Sequence, residues 1–100
     1  MKQVRISSSA EADLLNGFVF YERQQTGIGS YFLDSLFADI DSLALFAGLH
    51  PRHSTRLHRT RSKRFPFAIY YELVGDAVTV IAILDYRQDP GAIHSTLESR

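Results

Sequence analysis

Two runs of β-forming residues, Phe65 to Val74 and Ala77 to Tyr86, are separated by only Gly75-Asp76. Phe67, Ile69, Tyr70, Tyr71 and Leu73 are residues that fit a pleated, half-buried surface. A two-residue connection with glycine first reads as a type II′ hairpin. Pairing counted outward from Val74 opposite Ala77 then fixes which side chains share a face. One face holds Phe67, Ile69, Tyr71 and Leu73 with Val78, Val80, Ala82, Leu84 and Tyr86. The other holds Ala68, Tyr70, Glu72 and Val74 with Thr79, Ile81, Ile83, Asp85 and Arg87. Apolar residues on both faces place this hairpin centrally in a larger sheet rather than bare to water.

The rest of the chain supplies the cover. Lys2 to Ser7 alternates, with Val4 and Ile6 on one side, and predicts a short strand. Ser8 stands three residues before Glu11, a capping-box spacing that predicts a helix start. Leu14, Leu15, Phe18, Val19 and Tyr21 continue that helix with a wide apolar stripe. Gly27 and Gly29 make a tight corner, and a second helix is predicted from about Ser30 to Ala47, ending at Gly48. Arg56 to Lys63 alternates as a strand, with Leu57, Arg59, Arg61 and Lys63 on one side. The expectation is an α+β domain: an N-terminal strand, a two-helix antiparallel hairpin, then three antiparallel strands. The helices pack on one face of a small four-stranded sheet. The chain of 100 residues leaves room for one such domain, over residues 1–90, followed by a polar tail over 91–100 that only a partner would order.

Composition removes several function classes. The chain has no cysteine, so neither a disulfide framework nor a thiolate metal site is possible. No apolar run approaches the ~20 residues of a membrane span, and MKQVRISSSA has no signal-peptide core; a cytoplasmic protein is expected. His50, His53 and His58 lack helical i,i+4 spacing and acidic neighbours, so no metal site is expected. Gly27-x-Gly29 follows a helix rather than a strand, so it is no dinucleotide site. No cofactor is implied.

Charge is balanced in total and uneven in distribution. Eleven Lys and Arg offset eleven Asp and Glu. Yet Arg52, Arg56, Arg59, Arg61, Lys63 and Arg64 lie together with no acid among them. A surface built only for solubility mixes both signs, whereas a one-sign block attracts phosphates or carboxylates. The second hairpin face, around Tyr70, Glu72, Ile81 and Ile83, has no element left to cover it except the tail after Pro90, or a second copy of the chain. An apolar strip rimmed by charge is expected to be a partner site.

Several stretches together resemble a known family. The opening strand leads into AEADLLNGFVFYERQQTGIGSYFLDSL, with an acidic-leucine helix start, an aromatic pair and a Gly-x-Gly corner followed by an aromatic. RFPFAIYYEL and AVTVIAILDYRQDP follow, the latter ending in an arginine and an Asp-Pro. In order and spacing these resemble the ParE/RelE superfamily of toxins from bacterial type II toxin–antitoxin systems, the ParE branch above all. The resemblance implies a growth-inhibiting toxin neutralised by a cognate antitoxin, the two forming a hetero-oligomer. ParE-type members act on DNA gyrase; RelE-type members cleave mRNA in the ribosome.

The two activities ask for different residues. Cleavage through the 2′-hydroxyl needs a base, cations at the phosphorane and an acid for the leaving oxygen. By resemblance, Arg59, Arg61 and Arg87 match basic positions of the cleaving members. Ala68 replaces a third-strand arginine, and no tyrosine follows Tyr86. Arginine stays protonated and makes a poor base, and His94 lies in the tail. No catalytic residue is therefore assigned; Arg59, Arg61 and Arg87 remain the alternative, nuclease set. Arg56, Arg59, Arg61, Lys63, Arg64 and Arg87 are expected to face the gyrase or nucleic-acid target. Tyr70, Glu72, Ile81, Ile83, Phe18 and Tyr21 are expected to meet the antitoxin. Two departures from the ParE pattern stand out: Asp85 replaces a usual histidine, and the aromatic after the Asp-Pro is missing.

Overall fold

A computed structural model describes residues 1–100. Strand β1 (Gln3–Ile6) leads into helix α1 (Ser8–Gln24) and helix α2 (Ile28–Asp41). A short helix α3 (Leu43–Phe46) follows, then strands β2 (His58–Arg61), β3 (Phe67–Val74) and β4 (Ala77–Asp85), and helix α4 (Pro90–Glu98). The sheet order is β1-β4-β3-β2. The β3–β4 and β2–β3 pairs are antiparallel, while β1 runs parallel to β4. The predicted α+β order is present, and the sheet is mixed rather than purely antiparallel.

Local chemistry explains the element ends. Ser7, not Ser8, caps α1: its hydroxyl accepts the Ala10 N–H at 3.1 Å. At the α1–α2 corner Gly27 sits at φ +95°, a left-handed conformation that other residues rarely adopt. The Glu22 carboxylate accepts the Gly27 and Gly29 N–H groups at 2.9–3.1 Å and so caps α2 from the previous helix. The predicted long second helix breaks at Ser42, whose hydroxyl donates to the Asp39 carbonyl at 2.6 Å. Such side-chain bonds to the preceding turn compete with the helix ladder. The hairpin turn at Gly75-Asp76 has φ +58° at the glycine and no positive φ at Asp76, the type II′ pattern.

A β-bulge changes the expected faces. Tyr71 pairs with Val80 but Tyr70 pairs with Ala82, so Ile81 is an extra residue. An inserted residue reverses the alternation beyond it. Val78 and Val80 therefore lie under α1 and α2, as expected, and Ile83 joins them there. Ala82 and Leu84, expected on that side, turn to the opposite face. The helical-hairpin core contains Ala10, Leu14, Phe32, Leu36 and Ile40 against Phe67, Ile69 and Tyr71.

The opposite face is covered too. The tail expected to lie outside the fold forms α4, with Asp89 as N-cap and Pro90 in the first turn. Ile93 and Leu97, one helical turn apart, bury against Ala68, Tyr70, Ala82 and Leu84. Where β1 ends, β4 would show bare backbone groups. Asp13 instead accepts the Ile83 N–H at 2.9 Å, and Arg100 donates to the Ile81 carbonyl at 3.2 Å. Asp13 and Arg100 also pair directly, at 2.9 Å between Nη2 and Oδ1, so one charged pair closes the strand edge and ties down the end of α4.

Candidate functional site

The basic block folds as an edge. The chain after Pro51 turns back on β2: Arg52 bridges His58, and the Arg59 N–H donates to the Pro51 carbonyl at 3.0 Å. Strand alternation aims Arg59 and Arg61 to one side, as expected. The Arg61 guanidinium lies 4.6 Å from the centre of the Tyr86 ring, and Arg59 lies 5.8 Å from Tyr86 and 5.9 Å from Tyr70. These contacts hold two cations in place by their attraction to the ring faces. With Arg52, Thr60, Pro51, His50 and His53 they line a cavity of about 390 Å³ with no acidic side chain.

The imidazoles on this edge are positioned by buried tyrosines. Tyr71 is fully buried, and its hydroxyl accepts the Gly48 N–H at 2.9 Å. The same oxygen lies 2.6 Å from His50 Nδ1. Burial, with His58 nearby, holds the His50 ring below its ordinary range. His58 stacks on Tyr71 at 5.1 Å, and the His53 ring meets Tyr70 edge-on at 5.2 Å.

The remaining predicted cations go elsewhere. Arg56 pairs with Glu72 at 3.1 Å. Arg87 forms a fork with the Asp85 carboxylate at 2.8 and 3.1 Å; that hydrogen-bonded guanidinium holds the Asp85 carboxyl below its ordinary range. Lys63 and Arg64 line a different cleft with Tyr31, Asp34 and Asp39. Thus the six-residue target set does not form one surface: Arg59 and Arg61 come together, and Arg52, outside that set, joins them. His94 sits on the exposed side of α4, 2.9 Å from Glu98, and lines a separate cleft with His53 and Arg56. From the sequence, His50 and His53 were members of the basic block and rejected metal ligands, with no individual role. Their nearness to Arg59 and Arg61 depends on the Arg52–His58 bridge, and the only sequence signal for it was their place in the acid-free block.

No protein-family model matches the chain, and no curated protein does. A solved structure described as the chromosomal ParDE TA system from P. aeruginosa contains a chain that superposes with a TM-score of 0.76. The match covers 83% of this chain and 94% of the other, at 16% identity. The chain shares its fold with that chain. Within that fold, RFPFAIYYEL ends as β3 and AVTVIAILD is β4. The Asp-Pro of the resemblance starts α4. No helix is long and apolar enough to cross a membrane.

The docking face predicted on the sheet is not open. Tyr70 and Ile83 are each 1% exposed. Tyr70 lies under α4, and the bulge turns Ile83 toward α1. Ile81 is half-buried against the α4 side, and Glu72 is engaged by Arg56. Phe18 is half-buried, and so is Tyr21, whose ring packs 4.9 Å from Phe65 and 5.2 Å from Phe32. Exposed apolar residues include Leu15, Val19 and Phe20 on α1, Tyr31 and Phe37 on α2, Leu45, Phe46 and Leu49 in and after α3, and Val74 at the hairpin turn. Phe20 also lines a groove between α1 and the end of β4, beside Asn16, Leu84 and Gln88.

Proposed function

We propose that this chain is the toxin of a type II toxin–antitoxin pair, of ParE type. It inhibits DNA gyrase by binding and is neutralised by a cognate antitoxin in a hetero-oligomer. The observation that carries the reading is the state of the cations within a ParE/RelE fold. Arg87 is held by Asp85, and a buried Ala68 stands where cleaving members carry an arginine. What remains is an edge of arginines suited to binding. Arg59 and Arg61 face the target, and the antitoxin takes the exposed apolar side of α1 at Leu15, Val19 and Phe20. Apolar anchors give such a contact its affinity. In a gyrase assay the purified protein traps cleaved DNA complexes. Unchanged supercoiling and cleavage at micromolar protein would overturn the reading.

One observation favours a second reading, ribosome-dependent mRNA cleavage. His50 and His53 line the same cavity as Arg59 and Arg61, and an imidazole can serve as the base that arginine cannot. Primer extension on mRNA from induced cells decides this. Cuts within translated codons support cleavage; intact messages with trapped gyrase exclude it.

A further inference from the structure

We infer that the cavity between α2 and the connection from β2 to β3 binds a small zwitterion of the amino-acid class. Asp34 and Asp39 hold its ammonium, and Lys63 and Arg64 hold its carboxylate. The inference is independent of the toxin reading, and this cavity shares no lining residue with that of Arg59 and Arg61.

Two walls form the cavity. Tyr31, Asp34, Ser35 and Ala38 stand at the three- and four-residue spacings that share one side of a helix, and Asp39 joins them. Lys63 and Arg64 line the other wall, just beyond the end of β2. Hydrogen bonds fix the walls to each other. Asp39 Oδ2 accepts the Ser62 hydroxyl at 2.8 Å and the Lys63 N–H at 3.3 Å, and Arg64 donates to the Tyr31 hydroxyl at 3.3 Å. The space between them is about 440 Å³, within the range of small-molecule sites.

Unused hydrogen-bonding capacity decides the ligand. The ion pairs of the chain, Arg56–Glu72, Arg87–Asp85, His94–Glu98 and Arg100–Asp13, all lie elsewhere. Two acids and two cations therefore line one cavity without meeting, although contact would gain Coulomb energy. Ser35, 9% exposed, adds a buried hydroxyl with no hydrogen-bond partner, an uncommon state for a buried polar group. A lone anion here is repelled by Asp34 and Asp39, and a lone cation by Lys63 and Arg64. A molecule with both charges on a short frame suits both walls. Its ammonium carries three donors, and the α2 wall offers the Asp34 carboxylate, the free Oδ1 of Asp39 and the Ser35 hydroxyl. Its carboxylate matches the guanidinium fork of Arg64. Only Tyr31 and Ala38 are hydrophobic, so the cavity suits a small side chain and grips a large apolar one poorly.

The test is an amide-resolved NMR titration of the purified, isotope-labelled chain with alanine at neutral pH. Shifts should move at residues 31–39 and 62–64, with a dissociation constant of about 1 mM or below. N-acetylalanine and alanine amide each keep one charge and should bind about ten-fold more weakly, the loss expected for one charged hydrogen bond. Asp34 is exposed and makes no internal hydrogen bond, so Asp34→Asn should leave the fold intact. It should weaken alanine about ten-fold and leave N-acetylalanine, which has no ammonium, unweakened. Lys63→Gln should weaken alanine and spare alanine amide, which has no carboxylate. Ser35→Ala should weaken alanine without lowering the thermal midpoint, since its hydroxyl has no internal partner to lose. No shift in these residues at about 10 mM alanine, well above a millimolar constant, would overturn the inference. Equal binding of alanine and its two singly charged analogues would do the same. Dialanine binding about ten-fold more tightly than alanine would assign the cavity to a peptide and overturn the amino-acid claim.

Discussion

Gly17 on α1 faces Phe32 on α2, and a methyl group there would have nowhere to go. A Cβ built at Gly17 lies 2.4 and 2.5 Å from two Phe32 ring carbons, against the ~3.5–4.0 Å of an ordinary carbon contact. The ring must retreat by more than about 1 Å to restore that distance. It is fully buried, with Phe67, Tyr21 and Phe65 at centroid distances of 5.0, 5.2 and 5.2 Å, so no open side receives it. Overpacking of this kind costs about 1–3 kcal/mol. Replacing glycine by alanine inside a helix returns about 0.5–1 kcal/mol. Gly17→Ala should therefore destabilise by about 1–2 kcal/mol, read from the urea midpoint at unchanged m-value. In a Phe32→Leu background the clash is relieved and the sign should reverse, with alanine now stabilising by up to ~1 kcal/mol from helix propensity alone. A Gly17→Ala protein more stable than the parent would refute the claim that this glycine exists for close helix approach.

Leu97→Ala should cost about 2–4 kcal/mol in the α4 contact, and hydrogen exchange should rise in residues 90–98 while the α1–α2 core stays protected; uniform loss of protection would show α4 to be part of one cooperative unit. Glu22→Ala removes the carboxylate that holds the first N–H groups of α2 and should cost about 1 kcal/mol, seen as a lower thermal midpoint. His50 is held below its ordinary pKa, first by burial and then by His58. Its folded value being lower than its unfolded one, its contribution to stability is complete above about pH 6.5. That contribution fades as pH falls through the folded value. His50→Gln should flatten this part of the stability–pH profile, and an unchanged profile would reject the assignment.

What could be read from the sequence was whatever depends on period. The two-residue turn, the inward part of the helical stripes at Leu14 and Leu36 and the shared side of Arg59 and Arg61 appear as read, whereas Leu15 and Val19 are exposed and the strand read over Arg56 to Lys63 spans only His58–Arg61. The bulge at Ile81 has no local signature, since Val80, Ile81, Ala82 and Ile83 are β-formers in either register. One extra residue exchanged Ile83 for Ala82 and Leu84, and with them the face the antitoxin was expected to fill. The tail failed for a different reason. Asp89-Pro90 and the Ile93–Leu97 spacing are ordinary helix signals, but nine residues make a marginal helix without tertiary support. That support comes from Ala68, Tyr70 and Ala82, whose exposure on that face follows partly from the bulge. An apolar strip around Ala68 and Tyr70 was expected on this face; the bulge adds Ala82 and Leu84 to it, and α4 is the element that covers it.

The site shows the same dependence on long-range pairing. Five neighbouring cations, Arg56 to Arg64, were expected to share one surface with Arg87 because sequence neighbours were taken as spatial neighbours. Strand geometry separates them: Arg59 and Arg61 share a side, Arg56 reaches back to Glu72, and Lys63 and Arg64 pass beyond the strand to the cleft beside Asp39. Partnering is therefore the better guide to function than the density of charge. An arginine already hydrogen-bonded to a carboxylate must give up that bond to meet a phosphate, whereas Arg52, Arg59 and Arg61 give up no carboxylate partner. If neither Asp85→Asn, which weakens the hold on Arg87, nor Glu72→Gln, which frees Arg56, raises affinity for single-stranded nucleic acid, then membership of the Arg59–Arg61 cavity and not the count of free cations sets the binding. Equal gains in both variants would mean that the whole edge acts as a diffuse positive field, and the cavity would lose its special standing.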